Sequence, residues 1–229
     1  MPVIEGTINS EELNGSNDAD TITGGVGDDT INAYGGDDVI SGGSGNDLIK
    51  GGSGFNTIEG GTGNDTIKGG HDGNDISGGF GNDKITGGNG EDVISGGSGS
   101  DTIFGYKGDD TIEGGLGHDL LSGDIGDDVL YGGLGNDTLK GGLGDDIVVG
   151  GAGNDSASGG SGHDTFIFSR DFDDYEFSIS GGVITIEDLT GNDGIDRLHS
   201  FEDLIFTNGR AEYEAGELIF IPNDGLDLG

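Results

Sequence analysis

The sequence contains no cysteine and no tryptophan, and it has few prolines and few basic residues. Without cysteine, disulfide bonds cannot stabilise a fold. The 229 residues include 45 acidic side chains against 8 lysines and arginines, a formal net charge of −37 at pH 7. Because phosphate groups would be repelled by this charge, we expect neither nucleic acid nor an anionic membrane as a partner.

Long apolar segments and a recognisable leader are also missing. No stretch approaches the roughly 18 apolar residues that cross a bilayer, so we expect no membrane span. Residues 1–5 lack the basic and apolar regions of a cleaved signal peptide. If the chain is exported, we therefore expect another kind of signal.

Only 30% of the residues are hydrophobic, whereas 55 are glycine. Little apolar surface is then available to offset the conformational entropy lost on folding. A compact state of this charge would also repel itself unless cations are bound. The composition leaves two alternatives, a disordered acidic chain or a chain that folds around cations.

An internal repeat decides between these alternatives. From Gly15 to Ile167 the sequence divides into seventeen consecutive nonapeptides, such as GGVGDDTIN from Gly24 and GGTGNDTIK from Gly60. A disordered chain has no reason to keep such a phase, so a repeat architecture is predicted. We expect an N-terminal lead-in or cap over residues 1–14, the repeats over residues 15–167, and a C-terminal cap over residues 168–229.

The eighth position of each nonapeptide is apolar and its two neighbours are mostly polar, the pattern of a three-residue strand with one inward side chain. Glycines at the first, second and fourth positions predict a six-residue turn before each strand. Two nonapeptides then make one coil of 18 residues. The predicted fold is all-β, a parallel β-roll (a β-solenoid) with two facing sheets.

The sixth position is aspartate in fifteen repeats, and asparagine in the other two, at Asn56 and Asn74. Ca²⁺ prefers six to eight oxygen ligands at about 2.3–2.6 Å, from carboxylates and carbonyls. Aspartates on loops one coil apart, together with carbonyls of the glycine turns, meet this demand. The predicted metal ligands are Asp20, Asp29, Asp38, Asp47, Asp65, Asp83, Asp92, Asp101, Asp110, Asp119, Asp128, Asp137, Asp146, Asp155 and Asp164.

The pattern GGxGxDxUx, with U aliphatic, resembles the RTX (haemolysin-type) calcium-binding repeat. The resemblance implies several Ca²⁺ ions, each held between successive turns by the sixth-position aspartates and loop carbonyls. It also implies a secreted, extracellular protein of a Gram-negative bacterium, with the type I secretion machinery as a partner and an uncleaved C-terminal signal. Such chains stay loose in the cytosol and fold in calcium outside the cell.

The C-terminal region looks different from the repeats. Alternating apolar residues in Tyr175–Ile179 and Val183–Thr185 flank a turn at Gly181 and Gly182, which predicts a small antiparallel unit. We expect this unit to cover the open end of the repeat core. We also expect it to pack on an outward apolar patch formed by Val129, Tyr131, Ile147, Val149 and Ile167.

Alternate loops should lie on opposite edges of the roll, and the two edges differ. The regular edge has an intact GGxGxD in every loop, and its loops start at Gly24, Gly42, Gly60, Gly78, Gly96, Gly114, Gly132 and Gly150. The irregular edge has loops that start at residues 15, 33, 51, 69, 87, 105, 123, 141 and 159, and only those at Gly87, Gly141 and Gly159 are intact. We predict seven calcium sites on the regular edge and a degenerate series on the irregular edge, where Asp75 replaces the aspartate missing at Asn74.

No sequence feature indicates catalysis, and we expect no enzyme: HExxH, GxSxG and GxxxxGK[ST] are all absent. Two alternatives to a folding and export module stay open. The first is a module that binds an alginate-like extracellular polysaccharide, with Tyr34, Phe55 and Tyr106 as candidates. The second is an ice-binding or adhesin segment, for which the Thr30, Thr66, Thr102 and Thr138 column is too interrupted to be favoured.

Overall fold

The computed structural model describes residues 2–191, 193–214 and 217–223. The described residues form 25 strands, and their only helical segment is a single 3-10 turn, Phe172–Asp174. The strands are β1 Val3–Glu5, β2 Glu12–Asn14, β3 Thr21–Val26, β4 Thr30–Asn32, β5 Val39–Ser44, β6 Leu48–Gly52, β7 Asn56–Thr62, β8 Thr66–Gly70, β9 Asn74–Phe80, β10 Lys84–Asn89, β11 Val93–Ser98, β12 Thr102–Lys107, β13 Thr111–Leu116, β14 Leu120–Ile125, β15 Val129–Leu134, β16 Thr138–Leu143, β17 Ile147–Ala152, β18 Ser156–Ser161, β19 Thr165–Ile167, β20 Tyr175–Ser180, β21 Val183–Asp188, β22 Ile195–His199, β23 Asp203–Phe206, β24 Gly209–Glu214 and β25 Glu217–Pro222.

Consecutive strands alternate between two sheets. The first sheet has the order β1-β3-β5-β7-β9-β11-β13-β15-β17-β19-β23-β24-β25, and the second has the order β2-β4-β6-β8-β10-β12-β14-β16-β18-β22-β21-β20. Within the repeats each strand pairs in parallel with the strand 18 residues later, as Ile22 does with Ile40. The predicted all-β fold, a parallel β-solenoid with antiparallel strands at the C-terminus, is confirmed.

The core is a column of eighth-position side chains between the two sheets. From Ile22 to Phe166 every one of them is at most 2% exposed. Burial of each aliphatic side chain contributes roughly 1.5–3 kcal/mol, so this narrow column is the main apolar stabilisation of the coils. Its narrowness leaves every loop at the surface of one edge or the other.

The stack of coils begins before the first nonapeptide. Strand β1 pairs in parallel with β3, and β2 pairs in parallel with β4. The loop between β1 and β2 also joins the stack, because the Glu11 backbone N–H donates to Asp29 Oδ1 at 2.8 Å. Residues 3–14 therefore continue both sheets by one strand each, while the domain boundary at residue 14 stays a prediction.

At the C-terminal end the chain leaves the stack and then returns to it. Strands β20 and β21 form the antiparallel hairpin that the sequence predicts, with Gly181 and Gly182 at positive φ in its turn. Strands β22 and β23 then pair in parallel with β18 and β19 and continue the two sheets. Leu198 and Leu204 are fully buried and extend the core column.

The predicted packing of the C-terminal region on the outward apolar patch is wrong. Tyr131 and Ile147 are 43% and 37% exposed, so the described part of that region does not cover them. Ile205 pairs with Ile167 and is itself 38% exposed. The patch is extended rather than covered, because the C-terminal strands add to the end of the sheets instead of folding back over a face.

Candidate metal centre

The sixth-position aspartates form two buried rows, one along each edge of the solenoid. All fifteen predicted ligands are at most 3% exposed. In each row one carboxylate oxygen faces the preceding coil: the Asp29 backbone N–H donates to Asp47 Oδ1 at 2.7 Å, and the Asp47 N–H donates to Asp65 Oδ1 at 2.7 Å. The spacing of 18 residues thus brings every aspartate next to the equivalent residue of the next coil.

The second carboxylate oxygen of these residues is buried and has no hydrogen-bond partner. This is true of Oδ2 in fourteen of the predicted ligands, from Asp29 to Asp164. In Asp20 it is Oδ1 that lacks a partner, because Ser16 donates to Oδ2 through its backbone N–H. A buried carboxylate without a partner is strongly unfavourable, so each of these oxygens is a position where a cation would be stabilised.

Backbone carbonyls converge on the same positions. A Cβ added to Gly60 would lie 2.6 Å from Asp65 Oδ2 and 2.6 Å from the carbonyl oxygen of Gly78, the first residue of the next loop. The space beside the first glycine is therefore bounded by a carboxylate oxygen and a carbonyl oxygen from neighbouring coils. Carboxylate and carbonyl oxygens are the ligands that Ca²⁺ prefers.

The second and fourth glycines of the loops are required for this close approach. Gly43 and Gly45 have φ of 108° and 130°, where L side chains are strained. A Cβ at either position would overlap the carbonyl oxygen of the equivalent glycine in the preceding coil. These glycines let the loops stack one directly above the next.

The rows of aspartates are electrostatically unfavourable without a cation. Desolvation raises the pKa of Asp65 to about 6, and the neighbouring carboxylates of Asp83 and Asp47 raise it further. Desolvation also raises the pKa of Asp110 and of Asp146 to about 7, with carboxylates of the adjacent coils adding to the effect. The backbone N–H donated to each carboxylate opposes these increases without cancelling them.

Basic side chains do not supply the missing charge. The ion pairs of the described residues involve Asp188, Asp193, Asp203 and Glu212, and none of them includes a sixth-position aspartate of the repeats. No group of three or more His, Cys, Asp or Glu side chains suited to a metal occurs in the described part of the chain. A cation between two coils must therefore use backbone oxygens as well as carboxylates.

Two asparagines close gaps on the irregular edge. Asn56 Nδ2 donates to the Gly54 carbonyl and to Asn74 Oδ1, both at 3.1 Å. Asn74 Nδ2 donates to the Asp72 carbonyl at 2.6 Å and to Asp92 Oδ1 at 2.9 Å. Each amide thus donates to the oxygens that face a cation elsewhere, so these two gaps are satisfied by hydrogen bonds.

The predicted replacement of Asn74 by Asp75 is wrong. Asp75 is exposed, lies in β9 and pairs with Thr57 and Val93 on the outer surface. The strand keeps its register, so Asn74 itself fills the buried sixth position.

A second row of acceptors, at the fifth loop position of the regular edge, is not among the sequence predictions. Each of these side chains accepts a hydrogen bond from the backbone N–H of the next loop, as Asn46 does from Asn64 at 2.8 Å and His118 does from Asn136 at 2.8 Å. The signal was present, because all eight residues carry a short side-chain acceptor: Asp28, Asn46, Asn64, Asn82, Ser100, His118, Asn136 and Asn154.

The repeats match a known family. Overlapping matches to a model of four copies of the RTX calcium-binding nonapeptide repeat together cover residues 14–174. The chain belongs to this RTX repeat family. Its repeats form a β-roll that binds calcium, and the buried aspartate rows and the glycine turns fit that ion. The predicted recognition of the family and of calcium as the ion is confirmed.

The family also gives broader expectations. RTX repeat proteins are typically secreted by Gram-negative bacteria, and the β-roll is typically structural rather than catalytic. No curated protein matches the chain. No helix in the described residues has the length and hydropathy that a transmembrane segment requires.

Proposed function

We propose that this RTX β-roll is a calcium-triggered folding module of an extracellular bacterial protein, exported by the type I secretion machinery and folded outside the cell. The observation that carries the proposal is the pair of buried carboxylate rows whose second oxygens have no hydrogen-bond partner. The metal ligands would be the fifteen sixth-position aspartates with carbonyls of the glycine turns. The module itself catalyses no reaction.

Calcium controls the fold because it provides the missing partners. Extracellular calcium modules bind with dissociation constants of roughly 10⁻⁴–10⁻³ M, far above the free calcium of a cytosol. Ligand that binds the native state alone stabilises it by mass action. Inside the cell the aspartate rows would keep the chain open, and outside the cell calcium would close the coils.

The test is a titration of calcium-stripped protein with CaCl₂, followed by calorimetry and by far-UV circular dichroism. We expect about ten or more ions to bind cooperatively, with β-structure appearing as they bind. MgCl₂ at the same concentrations is the control, since Mg²⁺ gives up its water less readily. A chain that is fully structured without calcium would contradict the proposed switch.

Export is tested separately in a Gram-negative host that carries a type I transporter. The full chain should appear in the medium only when the transporter is present, and a variant without residues 207–229 should stay in the cell. Equal export of the two forms would show that this segment carries no signal. The calcium titration would be unaffected by that result.

A second candidate function, binding of an anionic polysaccharide, is favoured by a groove on the second sheet. The groove has a volume of about 610 Å³ and is lined by Lys68, Thr86, Tyr106 and Lys107, among other residues. Lys68 pairs with Lys50 in the adjacent strand, so basic side chains collect on this face of a strongly acidic chain. Tyr106 is 49% exposed, which suits stacking on a sugar ring.

Binding of oligouronates tests this candidate. Lys68→Gln and Tyr106→Ala should each weaken binding at least several-fold in calcium. Lys140→Gln is the matched control, because Lys140 lies in the same outward column of the second sheet but does not line the groove. Equal binding by all three variants would exclude the groove. For the ice-binding alternative, the register places Leu48, Lys84 and Leu120 between the threonines of the outer column, which does not favour it.

A further inference from the structure

The regular edge continues beyond the last repeat, into a loop that is made of two separate chain segments. The Asp155 backbone N–H donates to Asp196 Oδ1 at 2.9 Å, across 41 residues instead of 18. The Ile195 N–H donates to Asn154 Oδ1 at 2.8 Å, which extends the fifth-position row. A Cβ on Gly194 would overlap the Gly153 carbonyl, as it does at the fourth glycine of the repeats. Residues 194–196 therefore occupy the fourth to sixth positions of a further loop.

The first half of that loop comes from the segment where the chain leaves the repeats. The Phe168 N–H donates to the Ile205 carbonyl at 2.8 Å, just as the Ala33 N–H donates to Lys50 at a first loop position. The two halves are joined by the Ser169 hydroxyl, which donates to Asp193 Oδ2 at 2.9 Å. We name residues 168–169 with residues 193–196 the composite loop.

A small cavity lies between the composite loop and the last loop of the regular edge. It has a volume of about 80 Å³, and its polar lining includes Gly150, Gly151, Ser169, Asp193 and Asp196. This volume exceeds the roughly 30 Å³ that one water molecule occupies in the liquid.

The junction is wider than the gaps of the repeats. For every other first glycine of the regular edge, the carbonyl oxygen of the next loop is among the three atoms nearest to an added Cβ. For Gly150 all three of those atoms belong to Asp155. The space that a carbonyl closes elsewhere is therefore open here.

Negative charge is concentrated around this cavity. Asp155 is 2% exposed, its Oδ2 is buried without a hydrogen-bond partner, and that oxygen lies 2.5 Å from a Cβ added to Gly150, on the side of the cavity. Asp196 is 4% exposed. Desolvation raises the pKa of Asp196 to about 8, and the carboxylates of Asp155, Asp193 and Asp188 raise it further.

Arginine supplies only part of the compensating charge. In the described part of the chain one basic group, Arg170, faces this corner, with its Nε 4.0 Å from Asp188 Oδ2 and 4.0 Å from Asp193 Oδ2. One guanidinium against four carboxylates leaves a strong excess of negative charge at a buried position. A divalent cation would offset it.

We propose that the composite loop and the last regular loop hold a further Ca²⁺ between them, in a site that connects the C-terminal region to the repeats. The ligands are the carboxylates of Asp155 and Asp196 with loop carbonyls, and Asp193 borders the site. This inference rests on the calcium chemistry of the RTX repeats. It goes beyond them because the site is assembled from segments on both sides of the β20–β21 hairpin.

Native mass spectrometry of the full chain in CaCl₂ tests the site, because each bound ion adds a fixed mass. The variant is Asp196→Asn, which keeps an acceptor for the Asp155 N–H. The fold accepts asparagine at this position, since Asn56 Oδ1 accepts from the Asp38 N–H at 3.1 Å in the repeats. Glu187→Gln is the matched control, because it removes one exposed carboxylate from the hairpin.

The expected result is one Ca²⁺ fewer per chain in Asp196→Asn, with the number unchanged in Glu187→Gln. Emission of Tb³⁺ excited through tyrosine should also fall in Asp196→Asn, because the Tyr175 hydroxyl lies 2.9 Å from Asp193 Oδ2. If Asp196→Asn does not fold, Asp193→Asn is measured by the same criteria and decides the question.

An unchanged number of ions in the variant would overturn the composite site and leave the calcium-binding repeats intact. Wild-type protein that binds no calcium would instead overturn the proposed function, so the two failures are distinguishable.

Discussion

At the scale of single residues, the sixth loop position performs two tasks with one side chain. Its Oδ1 accepts the backbone N–H of the preceding coil, and its Oδ2 faces a position that calcium can occupy. Asparagine can perform only the first task. At Asn74 the amide nitrogen takes the place of the cation and donates to Asp92 Oδ1. The difference between a calcium gap and a closed gap is therefore one atom.

Asn74→Asp should convert a closed gap into a calcium site. Without calcium the variant should be less stable than the wild type, because it loses the amide donor to Asp92 and buries another carboxylate. With saturating calcium it should recover, and native mass spectrometry should detect one additional ion. Asn64→Asp, at an exposed fifth position that keeps its acceptor, is the control and should add none. Equal stoichiometry of the two variants would contradict this assignment.

Tyr106 lies in a backbone conformation that favours glycine. Its φ is 78°, and the equivalent residue of the coil before it is Gly88. We expect Tyr106→Gly to stabilise the calcium-loaded protein by about 1 kcal/mol, since the strain of a left-handed residue exceeds the entropic cost of glycine. Tyr131→Gly, at a similarly exposed tyrosine in a strand, should destabilise it instead. Thermal unfolding of both variants measures the difference.

At the scale of elements, the sequence predicts the repeats better than the ends. The strands, the 18-residue coil and the buried aspartate rows all follow from the period, because each position meets its own copy in the next coil. Residues 194–199 keep the same pattern, with Gly194, Asp196 and Leu198 in phase, but the inserted hairpin hides it. The outward packing of the C-terminal region could not be predicted from hydrophobicity, since exposed apolar side chains also occur where a sheet simply continues.

An aromatic cluster closes the C-terminal end of the core. The ring of Phe206 stacks on Phe168 with centroids 4.6 Å apart and meets Phe172 edge-on at 5.2 Å. Phe206→Ala should cost about 3–5 kcal/mol of local stability, because a large buried ring is lost. Hydrogen exchange should increase in residues 168–223 while the repeats stay protected. Ile205→Ala, on the exposed face of the same strand, is the control, and equal exchange in the two variants would show that the cluster is not needed.

At the scale of the whole molecule, charge dominates the response to conditions. The net charge of −37 is concentrated in two rows of carboxylates that the fold holds one coil apart. The composition indicated that cations are needed, but it could not show that asparagine amides close two of the gaps. That detail depends on which oxygens the loops bring together.

The calcium-stripped protein should be more stable in mild acid than in mild base. Burial raises the pKa of Asp65 and Asp92 to about 6 and that of Asp110 and Asp146 to about 7, from an unfolded value of 3.8. Since the folded state then binds more protons than the unfolded chain, its stability is complete below pH 3.8 and is lost as the pH rises through 6 to 7. The midpoint of thermal unfolding should therefore be higher at pH 5 than at pH 8. A lower midpoint at pH 5 would contradict these shifts.

With calcium bound, the same protons become competitors. Acidification should then release ions, because a protonated carboxylic acid is a poor ligand. The calcium-loaded protein should lose stability between pH 8 and pH 5, opposite to the stripped form, and thermal unfolding in CaCl₂ measures this change.

The alternation of the two edges sets the unit in which this molecule could change its length. Removing 18 residues, such as residues 78–95, would bring the loop at Gly60 against the loop at Gly96, two members of the same regular edge. Removing nine residues would instead exchange the edges for everything that follows and would place asparagine gaps and basic faces on the wrong sides. Insertions and deletions in whole coils are therefore structurally neutral, whereas those in half coils invert the rest of the molecule.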